Sequence, residues 1–269
     1  MGKALSRVEG WAKMYRYALV IEYDGSFFAG WQRQDQVPSV QECVEKALGC
    51  LTQDHVPIYG AGRTDAGVHA LGQVAHCDLS RFWPLYKLRQ GINFYLRDKG
   101  VVISQVCQVD NGFHARFSAK ERIYQYVIIN RPSPPLFLSK TAWWIAKPLC
   151  VQSMHRACTL FCGTHDFSRF RHRDCQSASP VKTLDDIRIH ASGDQLTIHV
   201  RAQSFLHRQV RMLVGALVQV GKKKWSVDRV RSFLDDPTNP VKSPAAPARG
   251  LCLVLVCYDP GVLSGQELG

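Results

Sequence analysis

The chain has 269 residues, room for one large domain or two ordinary ones, and 46% hydrophobic against 21% charged residues fits a folded protein with a real core. No stretch stays apolar for eighteen residues, which argues against a spanning helix, and Met1–Met14 is short and polar, without the apolar run of a secretory signal. Lys and Arg outnumber Asp and Glu by 34 to 22, a formal +12, and a surplus of that size usually answers a polyanion, most often nucleic acid. The ten cysteines include no Cys-x-x-Cys pair. Cys43, Cys50, Cys252 and Cys257 sit among apolar neighbours and read as small hydrophobes in a reducing compartment.

In chain order, Tyr17, Leu19, Ile21 and Tyr23 alternate along a strand over Tyr15–Tyr23. Asp24–Pro38 is polar and contains glycine. Ser39 opens a helix with Glu42 three residues later, a capping box, and Val40, Val44, Ala47, Leu48 and Leu51 form its apolar stripe. A strand begins near Val68 and runs to Cys77, a helix spans Pro84–Leu96, and a strand covers Val101–Val109. The turn at Asn111-Gly112 marks a domain boundary, giving an N-terminal domain over 15–112 and a C-terminal one over 113–262. The second half offers strands at Arg122–Asn130, Thr183–His190, Gln195–Ala202 and Leu251–Tyr258. Helices are expected at Gln152–Cys162, Ser204–Val220 and Ser226–Leu234, and a loose tail after Pro260. Strands and helices mix without strict alternation, so the expected class is α+β with mainly antiparallel sheet.

The most specific segment is Gly60-Ala-Gly-Arg-Thr-Asp-Ala-Gly-Val-His-Ala70. Gly60, Gly62 and Gly67 permit backbone angles closed to other residues and let a ligand approach closely. Arg63 and Asp65 stand two apart between them, and a carboxylate near a guanidinium is held ionised, as a nucleophile or base requires. The plainer reading is a tight turn in which Asp65 bonds nearby backbone N–H groups.

Gly62-Arg-Thr-Asp-Ala-Gly-Val-His-Ala70 resembles the active-site motif of the TruA family of tRNA pseudouridine synthases, and five further segments resemble that family in its own order. They are Tyr23-Asp-Gly-Ser-Phe-Phe-Ala-Gly-Trp-Gln-Arg-Gln34, Ser39-Val-Gln-Glu42, Phe113-His-Ala-Arg-Phe-Ser-Ala119 with Arg122 and Tyr124, Phe205-Leu-His-Arg-Gln-Val-Arg211 with Val214-Gly215, and Ala246-Pro-Ala-Arg-Gly-Leu251. The resemblance implies that Asp65 is the catalytic aspartate, that Tyr124 stacks on the target uracil and acts in deprotonation, and that Arg211 pairs with Asp65. Leu251 would line the base pocket, and Arg63 would contact RNA or the aspartate.

It further implies two similar domains around antiparallel sheets flanked by helices, with the active site in the cleft between them. The enzyme would be a cytoplasmic homodimer acting on tRNA, on uridine in the anticodon stem-loop at about positions 38 to 40. Breaking the N1–C1′ bond and rejoining the ribose at C5 gains no electron or group, so no cofactor and no metal are expected. Three routes are open to the carboxylate: attack at C1′, addition at C6 or removal of the C2′ proton. In each case the base leaves its stack, and an aromatic platform suits it.

Arg169-Phe-Arg-His-Arg173, Lys222-Lys-Lys224 and the group Arg201, His207 and Arg208 read as an RNA-facing patch. His155, Cys158, Cys162 and His165 have the letters of a zinc site, but on one helix His155 and His165 would lie about 15 Å apart, too far for one ion. The two rivals to an isomerase are a catalytically silent tRNA-binding scaffold and a metal-dependent nuclease. The nuclease would need several carboxylates beside Asp65, and the motif supplies none.

Overall fold

The alternation at the start of the chain becomes strand β1 over Tyr15–Tyr23, in a computed structural model that describes residues 13–263. Tyr17, Leu19, Ile21 and Tyr23 are all buried. Ser39 caps helix α1 (Val40–Thr52), its Oγ accepting from the Glu42 N–H at 3.3 Å. The Glu42 carboxylate does not reach back to complete a capping box; it pairs forward with Lys46 at 2.7 Å. The short strand β2 (Tyr59–Gly60) leads into the Asp65 loop, and then come β3 (His69–Leu79), α2 (Leu85–Leu96) and β4 (Val101–Val109).

After the turn at Asn111-Gly112 the chain runs through β5 (Glu121–Asn130), β6 (Trp143–Ile145), α3 (Val151–Cys158), β7 (Gly163–Asp166), β8 (Val181–Leu184), β9 (Asp186–Ser192) and β10 (Gln195–Ala202). Helices α4 (Gln209–Gly221) and α5 (Val227–Asp235) follow, and strand β11 (Leu251–Cys257) ends the ordered elements. Among the described residues nine strands share one sheet, in the order β4-β1-β3-β11-β5-β10-β9, with β2 on β3 and β6 on β5. Its pairings are antiparallel except β3 with β11 and β5 with β6. With helices packed on it, this is the antiparallel-dominated α+β class that the element order implied.

Several expectations need correction. The helix expected over Gln152–Cys162 stops at Cys158, gives one 3-10 turn at Thr159–Phe161, and is extended at Cys162. The strand expected over Thr183–His190 is two strands in different sheets: β8 pairs only with β7, and Asp185 between them donates its N–H to the Arg201 carbonyl. The helix expected from Ser204 begins at Gln209, because Arg208 takes a left-handed conformation with φ +62°. The tail is not loose at its start: the Leu263 carbonyl accepts from the Gln105 amide at 2.9 Å. The rest of the tail, and the N-terminal segment before Lys13, lie outside the described residues.

Along β5 the side chains of Tyr124, Tyr126 and Ile128 turn inward, while Ile123, Gln125 and Val127 are half-buried on the other face. The Tyr126 hydroxyl donates to the Pro247 carbonyl at 2.8 Å, and a methyl at Gly250 would run into the Tyr126 ring. Helix α4 is held against the segment leading to β11 at Gly215, where an added Cβ would collide with the Pro244 carbonyl oxygen. Because that neighbour is backbone, Gly215→Ala should cost about 1–3 kcal/mol, seen as a lower urea midpoint with an unchanged slope.

Candidate active site

The Asp65 loop is fastened from three sides before any charge is considered. The Tyr23 hydroxyl and Thr64 Oγ1 share a 2.8 Å hydrogen bond, Trp31 N–H donates to the Thr64 carbonyl at 3.1 Å, and Gln73 Nε2 donates to the Gly62 carbonyl at 2.8 Å. The Val68 N–H donates to the Asp65 main-chain carbonyl at 3.1 Å, which closes the loop on itself. The glycines serve different ends from those expected. Gly67 alone of the three has a positive φ, +77°. Gly60 is required because a Cβ there would sit 2.6 Å from the Trp31 indole, and at Gly62 a Cβ would meet nothing. Gly30, on the facing segment, has φ +113°, and a Cβ there would lie 2.7 Å from the Thr64 carbonyl oxygen.

The Asp65 side chain is 17% exposed and meets residues from the start of α4, 146 positions further on in the case of Arg211. Arg211 Nη1 donates to Asp65 Oδ2 at 2.7 Å, and its Nε donates to the Ala246 carbonyl at 2.8 Å, which fixes the guanidinium. His207 Nε2 stands 3.2 Å from Oδ1, and Arg208 Nε 3.8 Å from Oδ2. Tyr124 lies in the same pocket, with its ring edge-on to Phe205 at 5.2 Å. Burial first, and the Asp65 charge second, push the Tyr124 phenol above its ordinary value, so it stays protonated at neutral pH. Leu251 is buried on β11 opposite Tyr126, and Leu253 pairs with Tyr124 one step along. An acid held by cations, beside a neutral phenol and an apolar wall, suits chemistry on a base taken out of its stack.

The profile of the tRNA pseudouridine synthase family matches residues 19–118 and 157–259. The tRNA pseudouridine synthase A of Rhodospirillum rubrum is 44% identical over 245 residues, covering 91% of this chain and 88% of that one. The enzymes of that name from Rhizobium meliloti and Maricaulis maris are each 46% identical over 91% of this chain, covering 100% and 98% of their own lengths. The chain belongs to the tRNA pseudouridine synthase family. It is therefore an isomerase, and among its described residues no helix is long and apolar enough to cross a membrane.

Within this pseudouridine synthase, the structure brings Asp65, Arg211, Tyr124 and Leu251 to one region. Arg63 departs from the expectation that it might serve the aspartate: it is exposed and donates to Gln176 Oε1 at 3.3 Å, on the loop between β7 and β8. The residues facing Asp65 beside Arg211 are His207 and Arg208, which the sequence placed in an RNA-facing patch rather than at the acid. Their spacing of three and four before Arg211 was the available signal. Arg169 also leaves the expected basic patch. It is buried, lies over the Phe233 ring at 3.4 Å, and donates to the Val241 carbonyl at 2.8 Å. The zinc-like letters disperse: Cys158 Sγ bonds the Ile187 carbonyl, and His165 Nε2 stands 2.9 Å from the Cys162 carbonyl oxygen. A groove of about 750 Å³ opens among Val102, Gln125, Val127 and Cys252, and Tyr23 and Leu251 also line it. Gly30→Ala should push Thr64 and Asp65 out of place. Single-turnover pseudouridine formation should fall by at least tenfold while the protein stays folded by circular dichroism.

Proposed function

We propose that this chain isomerises uridine to pseudouridine in the anticodon stem-loop of tRNA, at about positions 38 to 40, with Asp65 as the catalytic carboxylate and without a cofactor or metal. The observation that carries the reading is the ion pair of Asp65 with Arg211 at 2.7 Å beside the buried Tyr124, in a chain whose relatives are named tRNA pseudouridine synthase A. Arg211 orients the carboxylate through its 2.7 Å hydrogen bond. The uracil leaves its stack and lies against Tyr124, with Leu251 and its neighbours as the apolar wall that retains it after the N1–C1′ bond breaks. Attack at C1′, addition at C6 and removal of the C2′ proton all begin from this one carboxylate.

The rejoined base must lose its C5 proton. The raised Tyr124 phenol disfavours a resting phenolate, so its hydroxyl acts as a relay that passes one proton on as it takes another. Arg63, exposed at the loop, contacts RNA rather than Asp65. We place a domain division at Asn111-Gly112, with residues 15–112 and 113–262 as the two units. The enzyme works in the cytoplasm as a homodimer, a pairing that would cover exposed apolar side chains such as Leu71, Leu136, Phe137 and Leu255.

Two substitutions test the assignment. Asp65→Asn should abolish pseudouridine formation and leave tRNA affinity within a few-fold; product above a trace from the purified variant would sink the role of Asp65. Tyr124→Phe should bind tRNA normally and slow single-turnover formation by about a hundredfold or more, because the ring remains and only the hydroxyl is lost. If Tyr124 only stacks, the Phe variant would turn over like the wild type, and Tyr124→Ala would instead weaken binding by about 1–3 kcal/mol.

A further inference from the structure

Arg208 stands immediately before α4 with φ +62°, in the left-handed region that L-residues avoid and glycine tolerates. Such strain persists only where the surroundings impose it, and it gathers at functional positions. Here it brings the guanidinium to the Asp65 carboxylate. Its Nε lies 3.8 Å from Oδ2, shut off from solvent and without a hydrogen-bond partner among the described residues. The carboxylate is already served by Arg211 at 2.7 Å, and Arg211 is only 14% exposed. Arg208, at 37%, lies further out, and His207 beside it is 38% exposed.

The charge around Asp65 therefore does not balance. One carboxylate faces Arg211 and Arg208, with His207 on its other oxygen. The acid on the adjoining loop, Asp174, is engaged by His172 and Arg173 at 3.4 and 3.5 Å. One guanidinium is left over, at the outer side of the pocket. With its Nε turned inward to Asp65, the 37% of the Arg208 side chain that is exposed leaves the outer end of the guanidinium to receive an oxyanion, and its planar fork matches phosphate oxygens. A nucleotide whose uracil lies against Tyr124 has its ribose at Asp65, and its phosphates follow outward from the ribose.

We propose that Arg208 is the receptor for the phosphodiester of the nucleotide seated at Asp65, with His207 beside it, and that the left-handed backbone is kept for this placement. The inference rests on the uridine-isomerising reading given above. It separates Arg208 from Arg211: Arg211 holds the acid, and Arg208 holds the substrate's backbone.

The test is the affinity of full-length protein for unmodified tRNA transcript, by fluorescence anisotropy across a salt series, with thermal melts alongside. Arg208→Gly should melt at or above the wild-type temperature, because glycine relieves the strained φ. Its Kd should nonetheless rise about tenfold, and the slope of log K against log salt should become shallower by about one. A purely structural arginine would give the opposite, a lower melting temperature with wild-type affinity and slope. If the glycine variant folds poorly, Arg208→Asn, which also accepts the left-handed region, is read by the same affinity and slope. Wild-type affinity and slope in a folded Gly or Asn variant would overturn the proposal. Pseudouridine formation by the wild type is measured in the same preparation. Its absence would overturn the uridine reading, whereas the slope change reports on the phosphate contact by itself.

Discussion

Two backbone pairings in the middle of the sheet, His69 with Cys252 and Ala70 with Leu253, join everything built before the Asn111-Gly112 turn to everything built after it. On one side the β3 ladder continues through β1 to β4, and on the other the β11 ladder continues through β5 and β10 to β9. Asp65 lies four residues before the joint on one strand, and Leu253 at the joint pairs directly with Tyr124 on the next. The register of a two-residue parallel ladder thus sets how far the acid stands from the aromatic ring. Arg122 reinforces it, since one guanidinium nitrogen donates both to the Ala61 carbonyl at 2.7 Å and to the Arg116 carbonyl at 2.9 Å. The Asp65–Arg211 pair adds a charged tie between the halves, and a charged bond shielded from solvent is stronger than one at the surface.

Shape and charge divide the work of the site. Glycine at positions 30 and 60, the Trp31 ring and the Tyr23–Thr64 bond fix the Asp65 backbone without using any charge. The cations arrive separately, from one short stretch at the head of α4, with His207 at one carboxylate oxygen and Arg208 and Arg211 at the other. An error in the loop would misplace the acid, and an error in α4 would leave it in place but unheld. The two kinds of damage should therefore be separable by kinetics.

Much of this was legible in the sequence. Strands β1, β4 and β10 fall at the bounds read from the sequence, and in β1 the alternating Tyr17, Leu19, Ile21 and Tyr23 are all buried. The carboxylate motif could be read because glycines and charged residues rarely crowd so closely without a reason. What escaped had no local signal. The left-handed Arg208 shortens α4 against the propensity of residues 204 to 208, which tertiary contacts override. Strands β2, β6 and β7, of two to four residues, are too short to show a period; β2 and β6 form on the edge of a longer neighbour, and β7 pairs with the equally short β8. Arg169 looked like surface charge because its cation–π partner Phe233 and its carbonyl acceptor Val241 lie more than sixty residues away. The pairing of Asp65 with Arg211 rested on resemblance alone, since nothing in the letters measures a distance across 146 positions.

The strand that completes the joint is the last ordered strand of the chain. A ribosome makes residues 15 to 109, with the whole Asp65 loop, long before it makes Leu251–Cys257, and until then the His69–Ala70 edge of β3 has no partner strand there. The nascent polypeptide thus carries its acid through most of its synthesis with neither Tyr124's strand nor Arg211 docked against it. Order of translation gives the molecule a natural delay: it becomes an enzyme only once β11 has emerged and docked between β3 and β5.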